Sequence, residues 1–209
     1  MKPPKSPGSR EYEETERRLL AKLQPDAVRS TLAFAGLYQL AHEMLKKAIL
    51  EDVRGFYAFG VDDAGPILDK RMYEQHVLEP GRIPGRPRLN EFRACVAWLV
   101  RSGALRQGQA DRLDQIYDHR HELTHDLGQF LIDVDREPDV TLFTDALEIL
   151  KSIHRFWVQV EADIGTFDEI PADELDLDAV TPLSLALLQI CIDGYVSGLQ
   201  PDTKSQAKK

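Results

Sequence analysis

Apolar positions recur along this chain at helical spacing, and the breaks between them mark out a short series of segments. Residues 11–24, EYEETERRLLAKLQ, run from acidic to basic, the order that suits the dipole of a short helix, and Pro25 closes it. Asp26 is placed to cap the next segment, in which Val28, Leu32, Leu37, Leu40, Leu45 and Ile49 keep helical spacing. This predicts a long helix over about 26–57, with the run LAFAGLYQLA buried on more than one side. Gly60 and Gly65 break the pattern. ILDKRMYEQHVL then reads as a short helix inside a long connection, and PGRIPGRPRLN as a loop that its prolines and glycines keep irregular. Asn90 is placed to cap EFRACVAWLVRSG, with Gly103 as its stop. Further helices are predicted over about 108–135, over 141–163 through Leu142, Ala146, Ile149, Ile153, Phe156, Trp157 and Val160, and over 181–199. The acidic stretch 165–180 reads as a loop. No strand and no internal repeat is predicted.

The expected fold is therefore all-α, a bundle of about four main helices with additional terminal helices. The expected organisation is a disordered basic tail at 1–9, a helical domain at 10–165 carrying a loop-rich insertion at 59–88, an acidic loop and C-terminal helix at 166–200 packing on the same domain, and a disordered tail at 201–209. A chain of 209 residues that is 43% hydrophobic has the material for a sizeable core. No run reaches the ~20 apolar residues needed to cross a bilayer; VTPLSLALLQICI is too short and contains Pro182. No apolar stretch follows the basic MKPPKSPGSR, so no secretory leader is read there and a cytoplasmic location is expected. Cys95 and Cys191 lie far apart on apolar segments without metal-knuckle spacing, and read as reduced thiols.

The net charge of −9 argues against a protein that coats nucleic acid by bulk attraction, but leaves room for a local basic groove. Arg82, Arg86, Arg88, Arg93, Arg101 and Arg106 occur with only Glu91 against them. They read either as a solvated surface offsetting acidic helices or as contacts to an RNA backbone. In the second reading Arg82, Arg86 and Arg88, on the Pro/Gly loop, are the reaching residues. No aromatic stacking pattern accompanies them, so base-specific recognition is not expected.

The chemistry concentrates in IYDHRHELTHDLGQFL, residues 116–131, which can be read in two frames. HELTH fits H-E-x-x-H: His121 and His125 stand one turn apart as zinc ligands would, with Glu122 at the general-base position and Gly128 where the extended pattern wants it. The third ligand fails, because Leu131 occupies the extended pattern's histidine position and Asp145 and Glu148 lack the setting of a glutamate ligand. The charged neighbours Asp118, His119, Arg120 and Asp126 also differ from the uncharged wrapping of zinc-protease helices. In the other frame, Arg120-His121-Glu122-Leu123-Thr124-His125 sets an arginine five residues before a histidine. Arginine is a fixed cationic fork matched to phosphate oxygens, and histidine exchanges protons near neutral pH. Together they suit RNA cleavage without a metal.

This second frame resembles the signature of the HEPN superfamily (higher eukaryotes and prokaryotes nucleotide-binding): an arginine, a polar residue, and a histidine after four to six intervening positions. The flanking helices fit as well, and the resemblance covers roughly 26–163. It implies a HEPN-like bundle and an endoribonuclease of toxin type. In such an enzyme the ribose 2′-hydroxyl attacks the adjacent phosphorus, leaving a 2′,3′-cyclic phosphate and a 5′-hydroxyl. Arg120 would hold phosphate and transition-state charge, His125 would transfer a proton, His121 would orient one of them, and Asp118 and Glu122 would be supporting residues. No cofactor and no metal ligand are assigned. RNA is the implied substrate, a growth-arrest or phage-defence toxin the implied role, and an antitoxin of nucleotidyltransferase type a possible partner. Residues five apart lie about 140° apart on an ideal helix, which sets Arg120 on the apolar stripe of Ile116, Leu123, Leu127 and Leu131 and turns His125 aside. Either the helix is distorted at the motif or a homodimer pools the groups across a two-fold axis; the expectation is a homodimer. The alternatives are a catalytically silent HEPN-like module for dimerisation, nucleotide or partner binding, and the zinc metalloprotease. The bland readings make Arg120 a seam arginine paired with Asp118 or another acid, and His119, His121 and His125 a solvated polar face. They leave His42, His76 and His154 as ordinary surface or core residues.

Overall fold

The computed structural model describes residues 10–63, 65–82, 89–165, 176 and 181–198, and these are mostly helical. The tails at 1–9 and 201–209, most of the acidic stretch at 165–180, and Arg86 and Arg88 lie outside the described residues. Helix α1, Arg10–Lys22, buries no side chain. It is held by its cations: Arg18 donates to the carbonyl of Val134 at 2.5 Å and Lys22 to that of Asp133 at 2.6 Å. Helix α2, Pro25–Lys47, starts on its proline, whose missing N–H costs nothing at a first helical position. Asp26 does not cap it as expected: the N-cap is Gln24, and the Asp26 carboxylate takes Arg29 at 2.7 Å instead.

The long helix expected over 26–57 is not uniform. After Lys47 the backbone widens into a π turn, Ala48–Asp52, and resumes as α3, Val53–Phe56. Ile49 and Val53 are both fully buried through this stretch. No strand was expected, yet β1, Ala58–Asp62, pairs antiparallel with β2, Gly65–Leu68, from Ala58↔Leu68 to Asp62↔Gly65. Gly65 has φ +116°, a conformation that other residues rarely adopt. The expected short helix follows as α4, Lys70–Tyr73, and a π turn, Glu74–Leu78. This insertion is pinned through Glu91, whose carboxylate receives Arg54 at 2.9 and 2.6 Å and the Tyr73 hydroxyl at 2.8 Å. Gly81 is required by close approach: a Cβ there would sit 2.4 Å from that of Ala94.

Helix α5, Glu91–Arg101, begins as read from sequence, with Asn90 Oδ1 accepting the Arg93 N–H at 3.1 Å. It ends at Gly103, φ +81°, with the N–H groups of Gly103 and Ala104 turned back onto the carbonyls of Val100 and Leu99. Helix α6 is Gln107–His125 and α7 is Leu127–Ile132, so the single helix expected over 108–135 is broken at Asp126. Helix α8, Val140–Asp163, starts on Asp139, whose carboxylate accepts from Thr141 and Leu142. Helix α9 is Leu183–Gly198.

Helices α2, α5, α6 and α8 enclose one core, with α9 laid against α2. Tyr38, Leu45, Cys95, Leu99, Ile116, Ile149, Leu150 and Ile153 are among its fully enclosed members. Cys191 is only half-buried. Tyr38 is 1% exposed and satisfies its hydroxyl on the carbonyl of Ile116 at 3.1 Å, which ties α2 to α6 one turn before Arg120. No helix among the described residues is long and apolar enough to cross a membrane.

Two tests follow from the packing. Ile153→Ala, which opens a cavity where the side chain is fully buried, is expected to lower the unfolding free energy by about 2–5 kcal/mol in urea titration with an unchanged slope. Burial holds His154 below its ordinary 6.5. The unfolded chain binds that proton more readily, so the stability involved is whole above pH 6.5 and declines as pH falls below it. Asp52 has the opposite sign: burial and neighbouring Glu51 push it up to about 6, so its contribution is whole in acid and lost as pH rises through 6. Melting temperatures measured between pH 5 and 7.5 should therefore fall less steeply on acidification in His154→Gln than in the parent, and more steeply in Asp52→Asn.

Candidate active site at the seam of α2 and α6

The apolar stripe of α6, through Leu113, Ile116 and Leu123, turns toward the core and brings Arg120 with it, against α2. A guanidinium drawn toward an interior needs an acceptor, because a desolvated cation without one is costly. Glu43 supplies it: Arg120 Nη2 donates to Glu43 Oε1 at 3.2 Å. The Arg120 side chain remains 22% exposed, so it is half-covered and not sealed. The partner expected on its own helix, Asp118, is exposed and does not take this role.

The contact belongs to a polar band between the two helices. Gln39 Nε2 donates to the same Glu43 oxygen at 3.1 Å. Thr124, inside the motif, donates to the Arg120 carbonyl at 2.9 Å and approaches Gln39 Oε1 at 3.4 Å. His42 is 6% exposed and lies with Nδ1 3.5 Å from Glu43 Oε1. Burial and the Arg120 charge hold His42 below its ordinary value, against the pull of Glu43. Burial of Glu43 opposes its ionisation, but Lys46, His42 and Arg120 outweigh it and hold the carboxyl below the usual range.

The histidines of the motif separate into different roles. His119 is buried, contrary to a solvated face. Its Nε2 accepts the Asp139 N–H at 2.9 Å, its ring stands edge-on to Tyr38 and Phe130, and its Nδ1 lies 3.6 Å from Glu122. An imidazole that accepts at Nε2 carries its proton on Nδ1, toward that carboxylate. His121 and His125 are exposed, their ring centroids 4.3 Å apart. His125 is the last residue of α6, and the break at Asp126 follows it directly. The motif thus sits at a helix end, but the break does not bring the two groups together: Arg120 engages α2, and His125 stands beside His121.

The zinc frame finds its histidine pair but not its base. Glu122 is taken by Arg136 at 3.2 Å, and Arg136 lies over the Phe130 ring. Among the described residues no group of three or more His, Cys, Asp or Glu is placed to hold a metal. Of the basic stretch, Arg93 pairs with Asp114 at 3.0 Å, and Arg101 donates to the His76 carbonyl at 3.0 Å. Arg82 is exposed and lines a groove of about 410 Å³ with Arg93, Asp111 and Asp114, none of which belongs to the polar band at Arg120.

Sequence reasoning passes over Gln39 and Glu43, and reads His42 only as an ordinary surface or core residue. The signal available was the i, i+4 pair Gln39 and Glu43, with His42, interrupting the apolar LYQLAHEML. Comparisons with protein-family models, with curated proteins and with solved structures return no match to this chain.

His119→Leu leaves the Asp139 N–H and the Glu122 carboxylate without their imidazole. It should lower stability by about 1–3 kcal/mol in chemical denaturation, while His121→Ala, at an exposed site, should change it by less than about 0.5 kcal/mol.

Proposed function

We propose that this chain is a metal-independent endoribonuclease of HEPN type, built on a HEPN-like helical bundle and acting as a homodimer. What carries the reading is Arg120: an arginine of the R-x4-H pattern, set on the seam between two helices of an all-α core, half-covered and held by a single charged partner. Its guanidinium is pre-oriented, and an incoming phosphate can take the place of Glu43. His125, exposed at the end of α6, is free of the core and able to exchange a proton with substrate. Within one chain the two groups have different neighbours, so the composite site forms where a second copy supplies the missing half across a two-fold axis.

In the reaction the ribose 2′-oxygen bonds to phosphorus and the bond to the 5′-oxygen breaks. The 2′-hydroxyl proton is removed, the leaving oxygen is protonated, and Arg120 carries the added charge on the phosphoryl oxygens. His125 serves in the proton transfers, with His121 beside it to orient the ring. Arg82 is the described residue of the Pro/Gly loop available to an RNA backbone. A growth-arrest or phage-defence role in the cytoplasm, with neutralisation by a nucleotidyltransferase-type partner, belongs to the same proposal.

The Arg120–Glu43 pair also favours a second reading, in which the arginine is retained for packing and the chain is a catalytically silent module for dimerisation or nucleotide binding.

Incubating the purified chain with total RNA, with and without EDTA, separates the readings. Cleavage is expected to survive chelation, to leave 2′,3′-cyclic phosphate ends, and to fall by about 10²-fold or more in both Arg120→Ala and His125→Ala. Folded dimers that leave RNA intact would favour the silent module. One tightly bound zinc per chain, lost in His121→Ala, would return the metalloprotease.

A further inference from the structure

One oxygen at this site is contested. Glu43 Oε1 already serves Gln39 and Arg120, and His42 Nδ1 stands 3.5 Å from it without the geometry of a hydrogen bond. Among the described residues, neither that buried nitrogen nor the buried Nε of Arg120 has a hydrogen-bond partner. Two unsatisfied polar atoms at one seam lie on side chains that converge on Glu43 Oε1, whose two acceptor sites Gln39 and Arg120 already take. Tyr117 of α6 covers the imidazole, its ring centroid 5.9 Å away. The charged and titratable groups facing His42 are thus Tyr117 and Arg120 from α6, and Glu43 and Lys46 on its own helix.

We infer that His42 is a positioning residue of the Arg120 site: by competing for Glu43 Oε1, its imidazole decides whether the guanidinium is held against α2 or released to take a phosphate. The consequence for RNA rests on the reading of Arg120 as the phosphate-binding cation; the competition itself lies among three side chains of this chain. With His42 neutral, Arg120 keeps the carboxylate. A protonated His42 gives Glu43 a charge-assisted donor and sets a second cation beside the guanidinium, which displaces it. Linkage makes the effect reciprocal. An anion that draws Arg120 away removes the charge opposing protonation of His42 and leaves Glu43 to the imidazole. Phosphate binding therefore takes up a proton, and it tightens as pH falls into the lowered range in which the buried His42 titrates.

The competition is read directly by following the His42 ring through an NMR pH titration of the full chain. Arg120→Ala should raise its midpoint and Glu43→Gln should lower it; a midpoint unmoved by both overturns the inference. The consequence is read by anisotropy with a 2′-O-methyl RNA oligonucleotide, which lacks the attacking hydroxyl. The protein carries His121→Ala and His125→Ala to remove the exposed imidazoles, and ionic strength is held fixed. Affinity should rise roughly five-fold or more between pH 7.5 and 5.5 and lose that rise in His42→Gln; equal slopes overturn it. Should His42→Gln fold poorly, Glu43→Gln, at an exposed position, gives the same test. It should bind the probe more tightly than the parent at pH 7.5 and without the acid rise. A probe that binds at no pH removes Arg120 as a phosphate ligand, and the two midpoints then decide the competition by themselves.

Discussion

A cation on an apolar stripe must be given an acceptor, and the arrangement around Arg120 follows from that requirement. Helix α6 turns Leu113, Ile116 and Leu123 inward, and the same rotation carries Arg120 against α2. Glu43 answers its charge, Gln39 and Thr124 extend the polar contact along the seam, and Tyr38 ties the backbone one turn earlier. Ion pairs of this half-covered kind add little net stability, since the desolvation of both groups offsets most of their attraction. Their effect is to fix where a charge stands. In the proposed reading, that is the property a phosphate-binding arginine needs.

The helical elements were legible because their ends are chemical. Asn90 stops the N–H groups of α5 from being orphaned, Gly103 takes a positive φ that closes it, and Asp139 does for α8 what Asn90 does for α5. Apolar spacing placed the core faces of α2, α6 and α8. The hairpin was missed because its strands are short and half-exposed: Phe59 and Val61 of β1 face solvent, so no burial pattern marks them. Asp26 was misread because a proline at the first position already starts α2, leaving the carboxylate to a neighbouring arginine.

At the candidate site, the residues of α6 stand out in the sequence and those of α2 do not. A single-helix motif shows itself in consecutive letters, whereas Gln39, His42 and Glu43 gain meaning only when a second helix crosses them. The three histidines of the motif looked alike in sequence; their roles are set by which face each one occupies. His119 falls on the core side and becomes a bonded part of the turn into α8, while His121 and His125 fall on the solvent side.

The widened turn at Ala48–Asp52 holds one residue more than an ordinary helical turn would. Each residue of a helix advances its neighbours by about 100° around the axis. Deleting one residue there would return the turn to regular winding and keep Val53 inward and Arg54 on Glu91, whereas deleting one from the regular turns of α2 would rotate everything beyond it by about 100°. The widened turn is therefore the place where this helix can lose a residue without turning the insertion beyond it off its anchor.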